Sequence, residues 1–337
     1  MDFRKYIRDN KISDQKRILE FGPLNWPIVS KNDNPNIYFA DIRSTEEIIK
    51  LYESNDYLKS TGVVIDTDRV VDIDFIIKGS YKDTFKKEKK FDIIYLSHVI
   101  EHIPDIINFF CDIENIINKN GELVLIYPDV RYCFDHFRNG TSFIDAYEVF
   151  HNKDNQSRQV FDFVNNVVHE NSPSFFWDEP DQNRLIPKNL FKESERIYNN
   201  TRSGIVPNDV HFWPFADFQF IKFLYDMDRA GLLGFDIKEF YPTQENTQEF
   251  MVILSLKKDK HINYKKYQEI FDEINPSMKE LRFRASISEL AKKSEQLLTK
   301  NQLLAKEISE IYSSKRWRFI SKLITIKNKI LGIRNDK

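Results

Sequence analysis

Two acidic residues stand in apolar runs near the start of the chain, at positions suited to binding a ribose. Glu20 lies in "RILEF" (17–21), and Asp41 closes "IYFAD" (37–41). An acid at the end of a second strand, about twenty residues beyond the first, commonly accepts hydrogen bonds from ribose hydroxyls. The segment between the runs has one glycine, Gly22, so it lacks the glycine nest and helix N-terminus that bind a pyrophosphate. We therefore expect a ribose-bearing ligand without phosphate groups.

S-adenosylmethionine is a common ribose-bearing cofactor that has no phosphate, whereas NAD, FAD and ATP all need a phosphate cradle. Glu20 could meet the positively charged end of its methionine part, and Gly22 permits close approach of the backbone. Three prolines, Pro23, Pro27 and Pro35, would fix the loop without a helix. The pattern therefore favours S-adenosylmethionine by elimination.

Three histidines are candidates for the proton transfer that methylation of an oxygen requires. His98 follows the apolar run that begins at Phe91, so it stands near the expected methyl group and is the first candidate for a base. His102 lies one helical turn further on, and His211 occurs in the later motif "HFWPF". The alternatives are an orienting or packing role for His98, anchoring of a helix N-terminus by His102, and a purely structural role for His211.

Seven short runs rich in β-branched and aromatic residues have the character of strands, and helical patterns separate several of them. One helix is predicted from "STEEIIKLYES", where Ser44 and Glu47 form a capping box. Another is predicted from "IPDIINFFCDIENIINKNG", which ends at the stop signal Asn120–Gly121. The alternation predicts an α/β fold with a parallel sheet covered on both faces. The predicted strands are 17–21, 37–41, 70–77, 91–99, 122–129, 235–243 and 249–258.

A long segment, residues 130–234, separates the fifth and sixth predicted strands. It is rich in aromatic residues and looks irregular, as in "FFWDEP" and "HFWPF". Insertions of this length beside a sheet commonly build a lid or a substrate pocket. We therefore expect this insertion to cover the acceptor, with core packing as the alternative for its aromatic residues.

The C-terminal part changes character after residue 258. Between 285 and 312, Leu290, Leu297, Leu304 and Ile311 recur every seven residues, and Ile287, Ser294, Asn301 and Ile308 form a second row. This pattern predicts either a parallel coiled-coil dimer, which a core asparagine favours, or a single amphipathic helix folded back on the domain. The tail, 313–337, carries eight basic residues against one acid, with apolar residues between them. It is typical of a helix lying on an anionic membrane surface or against a glycan-assembly partner, or of a solvated helix end.

Composition sets further limits on the class of protein. The 337 residues carry a net charge of −2, which argues against nucleic-acid binding. The N-terminus shows no secretion signal, and no apolar run is long enough to span a bilayer. The two cysteines form neither a disulfide framework nor a zinc motif, so we expect no metal site. A cytoplasmic protein is expected, peripheral to a membrane if the tail binds one.

The segment "FDIIYLSHVIEHIPDIINFFCDIENIINKNGELVLIYPD" closely resembles the fourth-to-fifth strand region of class I S-adenosylmethionine-dependent methyltransferases. "LEFGPLNWPIV" and "YPDVRYCFDHFRNGTS" resemble a variant branch in which prolines replace the later glycines. The resemblance covers roughly residues 15–257. It implies a Rossmann-like seven-stranded methyltransferase sheet with a large insertion after strand 5 and a C-terminal helical extension. The domain would span 1–258, followed by a helical or coiled-coil extension at 259–312 and the tail.

The resemblance also implies roles for individual residues around the cofactor. Ile42 would lie against the adenine, and Lys78 stands near the place where an acid often reads the adenine amino group. Asp41 would bind the ribose. The methionine end would be lined by Glu20, Phe21, Gly22 and Pro23, and the fourth strand would close the site with Ser97 and His98.

The acceptor is expected to be a sugar or glycan intermediate of cell-surface polysaccharide synthesis. "SSKRWRFISKL" resembles a tail motif that follows coiled coils in bacterial surface-polysaccharide enzymes. A phosphate or carboxylate on the acceptor could be bound by Asp129, Arg131, Asp135 and Arg138, or these residues could form a salt-bridge cluster that holds the insertion. Two other functions stay open: an inactive scaffold with the methyltransferase fold, and a methyltransferase of a small lipid or metabolite.

Overall fold

A computed structural model describes residues 1–54, 65–177, 184–207, 209–259, 261–274, 282–314, 317, 322, 323 and 327. Seven strands form one sheet in the order β3-β2-β1-β4-β5-β7-β6. The strands are β1 (Ile18–Phe21), β2 (Ile37–Asp41), β3 (Phe75–Ile76), β4 (Phe91–Ser97), β5 (Ile117–Pro128), β6 (Phe235–Tyr241) and β7 (Glu249–Leu256).

The described residues contain eleven α-helices. They are α1 (Phe3–Asn10), α2 (Thr45–Ser54), α3 (Tyr81–Thr84), α4 (Ile106–Ile116), α5 (Phe143–His151), α6 (Gln156–Asn166), α7 (Pro173–Trp177), α8 (Phe191–Arg202), α9 (Asp217–Arg229), α10 (Tyr264–Ile274) and α11 (Arg282–Ser313).

The sheet confirms the predicted α/β, Rossmann-like class, with one difference in strand direction. β1 to β5 run parallel, while β7 lies antiparallel between β5 and β6. The chain adds strands in one direction from β1 to β3 and in the other from β4 onward. The reversal lies between β1 and β4, where sheets of this kind bind ligands at the carboxyl ends of their strands.

The segment between β1 and β2 contains turns and no helix in residues 22–36, as the sequence predicts. Helix α1 and the loop residue Ile28 instead cover this face of the sheet. Phe3 and Ile7 of α1 are buried together with Ile18 and Tyr95 of the sheet in one apolar cluster. The N-terminal helix and the loop thus bury apolar surface that a crossover helix would otherwise cover.

Three predicted elements differ from the structure. Helix α4 ends at Ile116, and the Asn120–Gly121 pair lies inside β5, where a Cβ on Gly121 would meet Ile117 Cγ1 at 2.7 Å. This glycine therefore permits close packing within the strand, and it does not stop the helix. β3 is two residues long, much shorter than the predicted run 70–77. The insertion 130–234 is largely helical, because α5 to α9 lie within it.

The chain divides into two compact units, Met1–Ile270 and Phe271–Lys337. In the second unit, α11 is a 32-residue helix. Leu297, Leu304, Ile308 and Ile311 of the heptad rows are all exposed, while the side chains of Ile287 and Leu290 lie outside the described residues. Most of the tail 315–337 also lies outside them. No helix within the described ranges is both long enough and apolar enough to cross a membrane.

Candidate active site

A cavity of about 480 Å³ opens at the carboxyl ends of β1, β2 and β4, where the strand order reverses. Its size falls in the range of small-molecule sites in proteins. The strand ends contribute Phe21, Gly22, Asp41, Ile42 and His98. Further lining residues are Leu24, Ala40, Arg43, Leu51, Tyr52, Ile77, Tyr81, Val99, His102, Ile103, Pro104, Val206, Pro207, Asp209, Val210 and Phe212.

Position 22 requires a glycine, both because of its backbone conformation and because of the neighbouring Val99 side chain. Its φ is +60°, a left-handed conformation that side chains with a Cβ rarely adopt. A Cβ on Gly22 would stand 2.8 Å from Cγ2 of Val99, which follows β4. The glycine thus lets β1 turn sharply beside the β4 end and leaves the backbone open to the cavity. Leu24 lines the cavity beyond it, whereas Pro23 is not among the lining residues.

Glu20 lies away from the cavity wall and holds the loop instead. Both carboxylate oxygens accept a hydrogen bond from the Ile28 backbone N–H, at 3.1 and 2.8 Å. The side chain is 2% exposed, and burial raises its pKa to about 8 although the Ile28 hydrogen bond opposes the shift. Glu20, which was expected at the methionine end of the cofactor, therefore does not line the cavity, because its carboxyl group is used to fix the helix-free loop.

Asp41 stands at the cavity where a ribose is expected. Its Oδ1 accepts the backbone N–H of Arg43 at 3.0 Å, which fixes the carboxyl group at the end of β2. Burial raises the pKa of Asp41, and the hydrogen bond and charge of Arg43 oppose the shift. Ile42 is 59% exposed and offers an apolar surface beside it. Lys78 is exposed outside the lining set, and Ile77 takes the place beside the cavity.

His98 lies directly after β4, with an unusual backbone and a carboxylate partner. Its φ is +53°, and its Nε2 lies 2.8 Å from Oε2 of Glu249, the first residue of β7. Burial by itself would lower the pKa of His98, but the Glu249 hydrogen bond and the charges of Glu101 and Glu249 outweigh it, so the pKa is raised. Ser97 ends the strand but does not line the cavity.

The other two candidate histidines meet beside a buried acid. The rings of His102 and His211 contact edge to face, with centroids 4.6 Å apart. Nε2 of His102 and Nε2 of His211 lie 3.9 and 4.0 Å from Oε1 of Glu101. His102 lines the cavity, while His211 is buried behind it. Burial and His211 lower the pKa of His102, whereas Asp135 and Glu101 outweigh burial and raise that of His211.

The arginines predicted for the acceptor bind carboxylates of the protein. Arg131 donates to both oxygens of Asp129 at 2.9 and 2.6 Å, and it pairs with Asp217 of α9 at 2.8 Å. Asp129 is completely buried, and its Oδ2 also accepts from the Thr243 hydroxyl. The arrangement is the salt-bridge cluster that was the alternative, since it ties the end of β5 to the insertion.

Asp135 and Arg138 form a second buried pair, linked to His211. Arg138 donates to Asp135 Oδ1 at 3.0 Å, to Asp162 Oδ2 at 2.8 Å and to the His211 carbonyl at 2.7 Å. The Arg138 side chain is 0% exposed, so it cannot meet an acceptor phosphate. Burial alone would raise the pKa of Asp135, but the charges of His211 and Arg138 lower it to about 2.

Several site residues were missed by reasoning from sequence. Glu249 would have been found from strand direction, because an antiparallel final strand brings its first residue to the edge where the other strands end. Val206, Val210 and Phe212 come from the insertion, and no local pattern marks them. The segment is fixed to the turn after β4 by Trp213, whose indole N–H donates to the Ile103 carbonyl at 2.7 Å.

A family model described as a methyltransferase domain matches residues 6–165. No curated protein sequence matches the chain. The matched range contains the lining residues of β1, β2 and β4, as well as Glu101 and His102. The insertion beyond residue 165 and the last two strands lie outside it.

Solved structures with low similarity include the mitomycin 7-O-methyltransferase MmcR, at 10% identity and a TM-score of 0.35 over 75% of this chain and 53% of that chain. The chain thus spans about half the length of that enzyme. A TehB-like SAM-dependent methyltransferase from Corynebacterium glutamicum has 11% identity and a TM-score of 0.33 over 75% and 87%. A SAM-dependent methyltransferase from Aquifex aeolicus has 10% identity and a TM-score of 0.35 over 76% and 90%. None of these likenesses bears on the acceptor. The match shows that residues 6–165 are similar to a methyltransferase domain, a class of enzyme that uses S-adenosylmethionine as its cofactor.

Proposed function

We propose that the enzyme transfers a methyl group from S-adenosylmethionine to a hydroxyl oxygen of a sugar or glycan intermediate of cell-surface polysaccharide. The observation that carries the oxygen acceptor is the pair His98–Glu249 at the cavity, with Nε2 of His98 2.8 Å from the carboxylate. A hydroxyl group is a poor nucleophile until its proton leaves, and an imidazole oriented by a carboxylate is suited to take that proton.

The tautomer of His98 defines which atom would act. The Glu249 carboxylate can only accept a hydrogen bond, so Nε2 of His98 is the donor. The neutral ring therefore carries its hydrogen on Nε2 and has a lone pair on Nδ1. The cofactor would supply a sulfonium methyl group as the electrophile, and Nδ1 of His98 would take the proton from the hydroxyl group that accepts the methyl. The products are a methyl ether and S-adenosylhomocysteine. Asp41, Ile42 and Gly22 would hold the cofactor during this step.

The glycan part of the proposal is supported by the tail motif and by the heptad pattern that precedes it, "SSKRWRFISKL" after residues 285–312. The aromatic residues of the insertion give it no added support. Trp177 stacks on Tyr132 at 3.9 Å and donates to the Thr247 carbonyl, and Phe176 is buried. These residues therefore pack within the protein, which was the alternative reading.

A small lipid or lipid-like metabolite is a second candidate acceptor, favoured by one feature of the cavity rim. Val206 lines the cavity and is 37% exposed, and its neighbour Ile205 is 64% exposed. Exposed apolar residues beside an opening favour an acceptor with an apolar part. The inactive-scaffold alternative requires that the cofactor is not bound, so calorimetry with S-adenosylmethionine tests it directly.

Mass spectrometry of surface glycans tests the proposed acceptor. Glycans from cells that contain the wild-type protein should carry a methyl ether that is absent when the gene is deleted. A strain with His98→Asn should lose the same methyl group, whereas His261→Gln, an exposed histidine far from the site in sequence, should keep it. Identical glycans in the wild-type and deletion strains, with a methylated lipid or metabolite lost instead, would assign the second candidate.

A further inference from the structure

We propose that Glu101, His102 and His211 bind a divalent transition-metal ion, such as Zn²⁺, beside the cofactor cavity. One carboxylate oxygen and one nitrogen from each histidine lie within 4.8 Å of one another. Glu101 and His102 belong to the turn after β4, and His211 comes from the insertion. The two segments are joined by a hydrogen bond of 2.7 Å from the Phe212 N–H to the Glu101 carbonyl.

The second nitrogen of each histidine already has a partner that fixes the tautomer. His102 Nδ1 lies 3.1 Å from the carbonyl oxygen of Val210, which can only accept. His211 Nδ1 lies 2.5 Å from Oδ2 of Asp135, whose other carboxylate oxygen accepts a hydrogen bond from Arg138. Both rings therefore carry hydrogen on Nδ1 and, when neutral, a lone pair on Nε2. A carbonyl and a carboxylate behind the rings are the usual outer partners of metal-binding histidines.

The surroundings of the Glu101 carboxylate give an independent indication of a cation site. Its side chain is 1% exposed, and neither carboxylate oxygen has a hydrogen-bond partner among the described residues. Nitrogens of His98, His102 and His211 stand 3.9 to 4.0 Å from Oε1, beyond hydrogen-bond length. A buried carboxylate without a partner is costly, and a bound cation would remove that cost.

The chemistry of the ligands selects the class of metal. Two imidazole nitrogens and a carboxylate suit Zn²⁺, Fe²⁺ and related ions, whereas Mg²⁺ and Ca²⁺ prefer oxygen ligands. With metal–ligand bonds of about 2.1 Å, neighbouring ligand atoms lie about 3.0–3.4 Å apart, so each side chain must move by roughly half an ångström. Three protein ligands leave coordination positions open, and His102 borders the cavity.

A metal at this place would also act on the acceptor, a consequence that rests on the proposed function. A hydroxyl group bound to a divalent ion has a lowered pKa. His98 would therefore remove its proton more easily. His98 Nδ1 is 3.9 Å from the same Glu101 oxygen, so the base and the ion would lie side by side. Metal binding itself requires no acceptor.

Direct titration of the full chain tests the site. The protein is stripped with a chelator and titrated with ZnCl₂ by calorimetry, then with CoCl₂ while the visible absorption of the bound ion is followed. The wild type should bind one equivalent, and Glu101→Gln and His102→Asn should each weaken binding at least about a hundredfold. His261→Gln, which changes an exposed histidine outside the cluster, should bind as the wild type does.

Absence of saturable binding in the wild type, or equal affinity in Glu101→Gln, would overturn the proposal. Retained S-adenosylmethionine binding by Glu101→Gln would show that this variant is folded. If the Glu101→Gln variant does not fold, the metal affinity of His102→Asn decides the result. Failure to methylate a glycan leaves these titrations unchanged, because neither needs an acceptor. The two proposals can therefore fail separately.

Discussion

His98 combines three properties that ordinary packing does not require. It adopts a left-handed backbone, which costs a non-glycine residue about 1–2 kcal/mol. Its ring is 36% exposed at the cavity and is bound to Glu249 from another strand. Backbone strain persists where the surrounding structure enforces it, and such positions concentrate at functional sites. The position is therefore the first one to test in the reaction.

His98→Asn should lower turnover by about 10²–10⁴ and leave cofactor affinity nearly unchanged. Asparagine keeps the approximate size and a hydrogen bond to Glu249, but it does not take up a proton near neutral pH. Steady-state kinetics and calorimetry measure the two effects separately. Near-normal turnover with weakened cofactor binding would instead make His98 a wall of the cavity.

The pH dependence of the wild type should show the raised pKa of His98. The base must be deprotonated, so the rate should rise with pH, with an inflection above the ordinary histidine value of 6.5. Glu249→Gln removes the carboxylate that raises this pKa, so the inflection should move to lower pH. Profiles of kcat/KM for the two proteins measure the shift, and coincident profiles would show that Glu249 does not tune His98.

Asp41→Ala should weaken S-adenosylmethionine binding at least about tenfold, because a hydrogen bond to a charged carboxylate contributes roughly 1.5–3 kcal/mol. Asp41 lines the cavity at the end of β2. Isothermal calorimetry measures the affinity, and Asp14→Ala, at an exposed acid, serves as the control. Equal affinity in Asp41→Ala and wild type would remove Asp41 from the ribose site.

Sequence reasoning found residues that stand at the ends of their own strands and missed those whose role depends on a distant partner. Asp41 and His98 line the cavity, as predicted. They could be predicted because the end of a strand can be recognised from the local sequence pattern. The unpartnered state of Glu101 follows from its burial against His211, which lies far along the chain. No spacing rule joins such residues, because the insertion brings them together.

The helix-free loop between β1 and β2 depends on a buried acid. The Glu20 carboxyl group accepts a hydrogen bond from the Ile28 N–H of the loop. Helix α1 packs in the same apolar cluster as Ile28. A carboxyl group with a folded-state pKa near 8 is protonated in the folded protein at pH values where the unfolded chain is ionised, above about 4.5. The folded protein is therefore most stable, as far as Glu20 is concerned, below pH 4.5, where the group is protonated in both states. This contribution to the free energy of unfolding is lost as the pH rises through about 8.

Glu20→Gln should therefore flatten the decline of stability between pH 5 and pH 9. Glutamine keeps an oxygen for the Ile28 N–H and never ionises. The wild type should lose about 1.4 kcal/mol for each pH unit over the fully linked range, less where other groups relax around the charge. Denaturant unfolding at the two pH values gives the difference, with Asp14→Asn as control. Parallel pH profiles for Glu20→Gln and wild type would contradict the assignment.

Elements with a strong local pattern were predicted well. β2 matches its predicted run, and the Ser44–Glu47 capping box is present, with reciprocal bonds of 2.8 and 3.2 Å. The predicted end of α4 was wrong because the pair Asn–Gly has two uses. It is a stop signal for helices, and it is also tolerated in a closely packed strand. The insertion helices were missed because their apolar faces pack on one another and on the sheet, which local periodicity does not reveal.

The two compact units of the molecule differ in how they bury apolar side chains. The first encloses a full core, while α11 leaves Leu297, Leu304 and Ile311 exposed at heptad spacing. Exposed leucines at this spacing match the seam of a coiled coil. A second copy of the chain is the partner that the heptad rows predict, and this association stays a prediction.

Light scattering at micromolar concentration should find the full-length protein as a dimer and a chain lacking residues 280–337 as a folded monomer. In the full chain, Leu297→Lys combined with Leu304→Lys should also give the monomer, because two charges would be buried in the seam. Gln302→Lys, outside both core rows, is the matched control. A monomeric wild-type protein would contradict self-association through α11.

The antiparallel direction of β7 has a consequence for biosynthesis. Its first residue, Glu249, pairs in register with Pro128 at the end of β5, so the last strand of the sheet completes the site that the first strands begin. A growing chain is synthesised from its N-terminus, so the cavity-lining residues of β1, β2 and β4 are made well before His211 and Glu249. A nascent or prematurely terminated chain would therefore present this part of the cavity with His98 still lacking its partner Glu249. If His98 is the base, methyl transfer would require that β7 has joined β5, because only then does Glu249 reach His98.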